Sequence, residues 1–379
     1  MAFLTCHAHT HAQVDFNGFA SMAAGQTLSN GKSTFGTDNT FTVDVPNQGK
    51  YHDSLSFKEE SIFGLQASSD LADGLTVTGQ ITAAGADNFD AKITWAYAKY
   101  RMTDSSYILL GRQRLPLFYY SDFIDVGYAY HWMRPPVEAT GGVINEFNGL
   151  LINKEYDIND WTASFSAYFG NADEDLARFG NTEVDDLWGI VFNASYDWLQ
   201  LRAAYSGQKI ALVDGQFSTG GKAHDEENPL DVSIWGAAAF ADFNDFFLMA
   251  EYTSSNFGEY IAVDQFVGQD GSVGWYLSGG IRQDKLTYHL TYHTASLEID
   301  AGVGTTAQAA FGLPFAPFTS DQDIGTKAWT FGVRWDFHPS AAFKVEYTDK
   351  EDDNDDGYRN FFGSQSTVSV FSAGVDLVF

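Results

Sequence analysis

With a single cysteine, Cys6, in 379 residues, the chain has no partner for an internal disulfide. Basic residues are also scarce. Twenty-one Lys and Arg stand against 50 Asp and Glu, a formal charge of −29, which excludes a nucleic-acid surface built on a basic face. No run of 18 apolar residues occurs, so no transmembrane helix is encoded. Aromatic residues, by contrast, make up 16% of the chain, the opposite of a disordered composition. What remains is an all-β chain, either soluble or embedded in a membrane.

Residues 1–12, MAFLTCHAHTHA, read as the tail of a secretory signal that starts further upstream. Thr10 and Ala12 supply the small residues before a cleavage site, and Gln13 begins the mature chain. The alternating His7, His9 and His11 fall within this discarded leader, so they are not read as metal ligands.

Strict alternation over about ten residues recurs along the rest of the chain. Trp161, Ala163, Phe165, Ala167 and Phe169 alternate with Thr162, Ser164, Ser166 and Tyr168. Leu286, Tyr288, Leu290 and Tyr292 alternate with Thr287, His289, Thr291 and His293, and Trp329 to Phe337 repeats the pattern. Successive strand side chains point to opposite faces, so each segment has one apolar and one polar face. Strands of a soluble sandwich average about five or six residues, whereas about 9–11 are needed to cross a bilayer at a tilt. Aromatic residues at the segment ends suit the two interfacial girdles.

The connections fall into two kinds. Short polar turns are predicted at 69–74, 103–106, 157–160, 196–198, 242–245, 282–285 and 336–340. Longer loops rich in Gly, Asp, Asn and Ser lie between them, at 23–54, 85–91, 115–146, 171–185, 207–229, 256–272, 296–327 and 350–366. Short turns on one rim and long loops on the other describe a closed antiparallel transmembrane β-barrel. The seven turns and the two terminal strands give sixteen strands. All eight prolines fall in loops or turns, as an unbroken ladder requires. Nothing marks a domain boundary, so residues 13–379 are expected to form one barrel.

Several of these segments resemble the general porins of Gram-negative outer membranes. Ser61-Ile62-Phe63-Gly64-Leu65 followed by Ser69-Asp70-Leu71-Ala72-Asp73-Gly74-Leu75 is similar to their second strand and first periplasmic turn. Lys99-Tyr100 and Gly111-Arg112-Gln113 resemble the fourth and fifth strands. The chain closes on Phe371, Ala373, Val375, Leu377 and Phe379, similar to the strand whose terminal Phe is read by the barrel-assembly machinery. The resemblance implies an outer-membrane homotrimer in contact with lipid and lipopolysaccharide, each barrel holding a wet pore for small hydrophilic solutes. It also implies that the loop after strand 5 folds inward as a constriction. Here that loop, from Leu115 to about Glu146, carries Phe118, Tyr119, Tyr120, Phe123, Tyr128, Tyr130 and Trp132. So many large aromatics suit a loop packed on an inner wall.

In the family, acids on this loop face bases on the wall. The matching positions are Asp122, Asp125 and Glu138 on the loop, with Lys58, Lys92, Arg112 and Arg114 on the wall. Ile62 stands where related porins often carry Arg, so the basic set is thinner and a modest cation preference is expected. Arg or Lys on the lipid face costs about 2–4 kcal/mol at mid-bilayer, which assigns Arg202, Arg282, Arg334 and Lys344 to the interior or the rims.

Other motifs are weaker. Asp352, Asn354, Asp356 and Gly357 open like a calcium loop, but Gly363 occupies the position that needs a bidentate Glu. Gly302, Gly304 and Ala307 fit a dinucleotide pattern without the βαβ unit it needs. No HExxH, CxxC or GxSxG motif occurs, so neither catalysis nor a cofactor or metal is implied. The expected function is passive diffusion of small solutes and ions. A channel selective for an anion, sugar or carboxylate is the alternative, and a structural or adhesin barrel is a third reading.

Overall fold

The computed structural model describes residues 13–28, 41–42, 50–136, 144–176, 180–212, 229–256, 269–299, 322–352 and 367–379. Residues 1–12, Glu138 and the calcium-like stretch from Asp353 onward lie outside them. Sixteen strands form the barrel. The first eight are β1 (Val14–Thr27), β2 (Ile62–Ala72), β3 (Leu75–Ala84), β4 (Ala91–Thr103), β5 (Ser106–Arg114), β6 (Glu146–Ile158), β7 (Trp161–Leu176) and β8 (Gly180–Tyr196). The rest are β9 (Leu199–Leu212), β10 (Leu230–Asp242), β11 (Phe246–Asn256), β12 (Gln269–Gln283), β13 (Leu286–Ile299), β14 (Gln322–His338), β15 (Ala341–Asp352) and β16 (Thr367–Val378). Each pairs antiparallel with its sequence neighbours, and β1 pairs with β16 to close the sheet. Three single 3-10 turns, at 85–87, 121–123 and 127–129, are the helical content of the described residues.

The alternation reads directly as inside and outside. On β13, Tyr288 and Leu290 are exposed on the outer surface, while Thr287, His289, Thr291 and His293 are buried on the inner one. A chain that exposes Phe165, Phe169, Trp188, Leu277, Phe331 and dozens of similar side chains is stable only where lipid replaces water around them. Two aromatic belts frame this surface. One runs near the short turns through Trp161, Tyr196, Trp198 and Phe243. The other runs through Trp188, Tyr205, Trp235, Tyr252, Trp275, Tyr292 and Trp329. Along β8, Trp188 and Tyr196 are separated by about 26 Å of extended chain, which at a tilt of about 40° rises about 20 Å and covers most of the apolar band of roughly 25 Å.

Several strands run further than the alternation predicts. β7 and β8 continue to Leu176 and from Gly180, through residues read as a loop at 171–185. Their ladder extends past the apolar belt because backbone pairing needs no lipid-facing hydrophobe, so Asp173 and Glu183 pair in register. At the seam, Gly18 N–H donates to Phe379 O (2.7 Å) and Phe379 N–H donates to Gly18 O (2.9 Å). The Phe379 ring stacks on Phe63 at 6.3 Å.

Two connections turn inward. Past the end of β2, the upper edge of β1 is paired by the segment before it: Gly25 and Ser56 exchange backbone hydrogen bonds of 2.9 Å, and Thr27 N–H donates to His52 O. Tyr51 packs its ring on Gly25, where any Cβ would collide with it. The second inward connection is the segment after β5.

Candidate functional site

Residues 115–136 lie inside the barrel and are held mainly by wall side chains that grip the loop backbone. Arg202 on β9 donates to Pro116 O (2.6 Å). Glu251 on β11 accepts from Tyr119 N–H (2.8 Å) and from the Tyr276 hydroxyl (2.9 Å). Arg334 on β14 donates to the carbonyls of Tyr128 and Tyr130, both at 2.7 Å. Lys344 on β15 donates to Gly127 O and Trp132 O at 2.6 Å each and lies 2.8 Å from Asp376. Two loop carbonyls and the counter-charge of Asp376 surround its ammonium, which offsets an otherwise costly buried charge. Glu346 accepts from Met133 N–H at 2.9 Å. The interior basic residues Arg202, Arg334 and Lys344 are therefore occupied by the loop.

Aromatic packing completes the attachment. Tyr120 stands edge-on to Phe123, Tyr130 and Trp132, and Trp132 stands edge-on to Tyr276. Trp132 Nε1–H donates to Thr291 Oγ1 (2.7 Å). This cluster fills the lumen side of β11 to β13 with Met249 at its base. Beyond it, Arg134 donates to Glu60 O (3.0 Å), which ties the loop to the other inward segment. Burial pushes the Glu60 carboxyl up to about 7, opposed by Arg134 and by the hydrogen bond from Tyr51.

Opposite this packed side, a recess of about 270 Å³ remains between the loop and the wall of β1 to β4. Asn17, Gln66, Gln80 and Trp95 line the wall; Asp122, Phe123 and Asp125 line the loop; Arg114 stands where the loop leaves β5. Arg114 pairs with Asp125 and, at 2.7 Å, with Glu146. Arg112 lies 3.7 Å from Glu146 and donates through Nε to Ile93 O. Two cations and two anions thus cancel at the mouth of the loop. Asp122 is different: it is exposed to the lumen and has no hydrogen bond or ion pair among the described residues. Desolvation by the protein around it raises its carboxyl from the ordinary aspartate value, against the pull of Arg202 and Arg114.

Of the residues singled out from the sequence, the structure brings Arg114 and Asp125 into contact. It bonds Lys58 to Asn88 and Lys92 to Asp87 (2.6 Å), both on the β3–β4 turn. Arg282 sits at the short-turn rim with Asp242 (2.6 Å). The amides Asn17, Gln66 and Gln80 were not singled out. Their signal was strand parity: Phe63 and Leu65 face lipid, with Leu65 a neighbour of Gln66, which places Gln66 on the inner face.

The sequence matches the family model of Gram-negative porins over residues 1–357. No curated protein matches it by sequence. Solved structures share its fold at low identity. In-vitro folded OmpT in a trimer form, an outer membrane protein of Vibrio cholerae, is 14% identical with a TM-score of 0.58 over 97% of this chain and 99% of that one. Salmonella typhi OmpF in complex with daunomycin is 14% identical, TM-score 0.57, over 97% and 98%. An anion-selective porin from Comamonas acidovorans is 13% identical, TM-score 0.56, over 97% and 100%. At such identities the likeness speaks for the fold, and the family match carries the assignment. With sixteen closed strands, a lipid-exposed apolar belt and that match, the chain belongs to the Gram-negative porin family and is a β-barrel of the outer membrane.

Proposed function

We propose that the protein is a passive diffusion channel for small hydrophilic solutes and ions, with a modest preference for cations. The observation that carries the preference is Asp122, an unpaired carboxylate facing the uncharged amides of Asn17 and Gln66. Of the nearest basic residues, Arg114 is neutralised by Asp125 and Glu146, while Arg202 keeps its charge, with its guanidinium held on the neutral oxygens of Asn193 and Pro116 and its field shared between Asp122 and Glu251. Low-dielectric walls concentrate the field of a single charge in a narrow passage, whereas acids on a wide mouth are screened beyond roughly 8–10 Å at physiological salt. Asp122 therefore outweighs the acidic run at 349–356 in this reading.

The same reading includes a homotrimer, the form of the in-vitro folded OmpT structure, and assembly through the terminal Phe379 strand. Single-channel conductance in planar bilayers tests it: stepwise ohmic currents support a channel, and a barrel that inserts without conducting contradicts it.

A further inference from the structure

The amides on the wall form a directed relay. Thr94 Oγ1–H donates to Gln80 Oε1 (2.9 Å), and Gln80 Nε2–H donates to Gln66 Oε1 (3.2 Å). The Gln66 carbonyl oxygen is thereby engaged, and its two N–H donors have no partner among the described residues. Asn17, paired with Gln66 across β1 and β2, also has a side chain without a partner there. The wall thus presents donors, while the loop opposite presents an acceptor, the Asp122 carboxylate. The flat rings of Trp95 on the wall and Phe123 on the loop supply apolar surface in the same recess.

We propose that this recess is a subsite for a neutral, polyhydroxylated ring, a solute of monosaccharide scale. Hydroxyl groups both accept and donate, so one ring accepts from Gln66 and Asn17 while donating to Asp122. Its C–H faces cover Trp95 and Phe123, which favour apolar contact on a rigid surface. An organic cation would satisfy Asp122 and leave the wall donors unused. An organic anion would meet the donors but be repelled by Asp122, with Arg114 already paired twice. The volume, about 270 Å³, falls below the ~300–1,000 Å³ usual for drug-sized ligands. Because the solute crosses a membrane, the inference rests on the channel reading above, but binding is measurable without current.

The experiment uses the full-length protein in two formats, with glucose and galactose as probes and gluconate (an anion) and spermidine (a cation) as charged controls. In planar bilayers the sugars are expected to produce concentration-dependent interruptions of the current. Calorimetry in detergent reads the same binding where no current flows. Gln66→Leu and Asp122→Asn are each expected to raise the half-blocking sugar concentration about tenfold, the worth of one hydrogen bond to a charged or buried polar group. Thr94→Val, which frees the relay from its far end, is expected to shift it less. A conducting channel with no sugar interruption and no calorimetric signal overturns the subsite and leaves the channel reading intact. Block by spermidine alone, lost in Asp122→Asn, overturns it in favour of a cation site. Sugar binding without conductance supports the subsite and overturns the channel.

Discussion

The imidazoles of His131 and His289 stand edge-on to each other with ring centroids 4.8 Å apart, one on the inward loop and the other on the β13 wall. His131 also bonds Ser278 on β12 (3.0 Å) and stacks on Trp132. Burial holds its pKa well below 6.5, helped by His289 on β13, Lys344 on β15, Arg334 on β14 and Arg282 on β12. The sign follows from linkage. With the loop detached, His131 takes up its proton near pH 6.5; attached, it stays neutral to much lower pH. Attachment is therefore fully stable above about pH 6.5 and weakens as pH falls through and below it. Open-channel noise and protease sensitivity of the loop are expected to rise between about pH 6.5 and 4.5, and His131→Asn is expected to flatten that rise.

Lys344 makes the second test of the attachment. Replacing it with Met strands two loop carbonyls without their donor and leaves the buried Asp376 without its counter-charge, held only by the Ser21 hydroxyl. Removing one partner of a buried pair costs about 3–5 kcal/mol. Lys344→Met should lower the heat-modification temperature and enlarge or destabilise the conductance, and adding Asp376→Asn should restore part of the loss. Unchanged melting in the single variant would contradict the clamp.

At the other end of the chain, Phe379 closes the seam through two backbone bonds to Gly18 and a stack on Phe63. Deleting it is expected to slow insertion in cells while refolding in detergent proceeds. Pulse-labelled fractionation compares the two rates, and a normal rate in cells would reduce Phe379 to one more girdle aromatic.

The barrel was legible because its determinants are local. Alternation marked the faces of β13 and β14, and the short turns at 284–285 and 339–340 fell within the segments read from polar clusters. The inward loop was legible as aromatic-rich, but its contacts were not. Arg202, Glu251, Arg334 and Lys344 come from four strands spread over 143 positions, and only the closed sheet aims them at one segment. Lys58 and Lys92 show the complementary difficulty. Both were expected on the wall strands, but Lys58 lies before β2 rather than on it, and the β3–β4 turn holds both through Asn88 and Asp87. The amide wall was missed because Gln66 and Gln80 carry no charge and look like any polar lumen residue.

Acid should also weaken selectivity through Asp122. Desolvation by the surrounding protein raises its carboxyl from the ordinary aspartate value, so the cation preference is expected to fade at a higher pH than an unperturbed aspartate near 3.9 would dictate. A preference constant down to about pH 4 would place the selective charge elsewhere.

Reversal potential under a tenfold KCl gradient, at low salt and neutral pH, reads the selectivity that Asp122 is proposed to set. The wild-type channel is expected to prefer K⁺. Asp122→Asn should remove most of that preference, Asp125→Asn should also reduce it by leaving Arg114 partly uncompensated, and deletion of the acidic run around 349–356 should change it least. Anion selectivity in the wild type, or a larger effect from that deletion than from Asp122→Asn, would contradict the account.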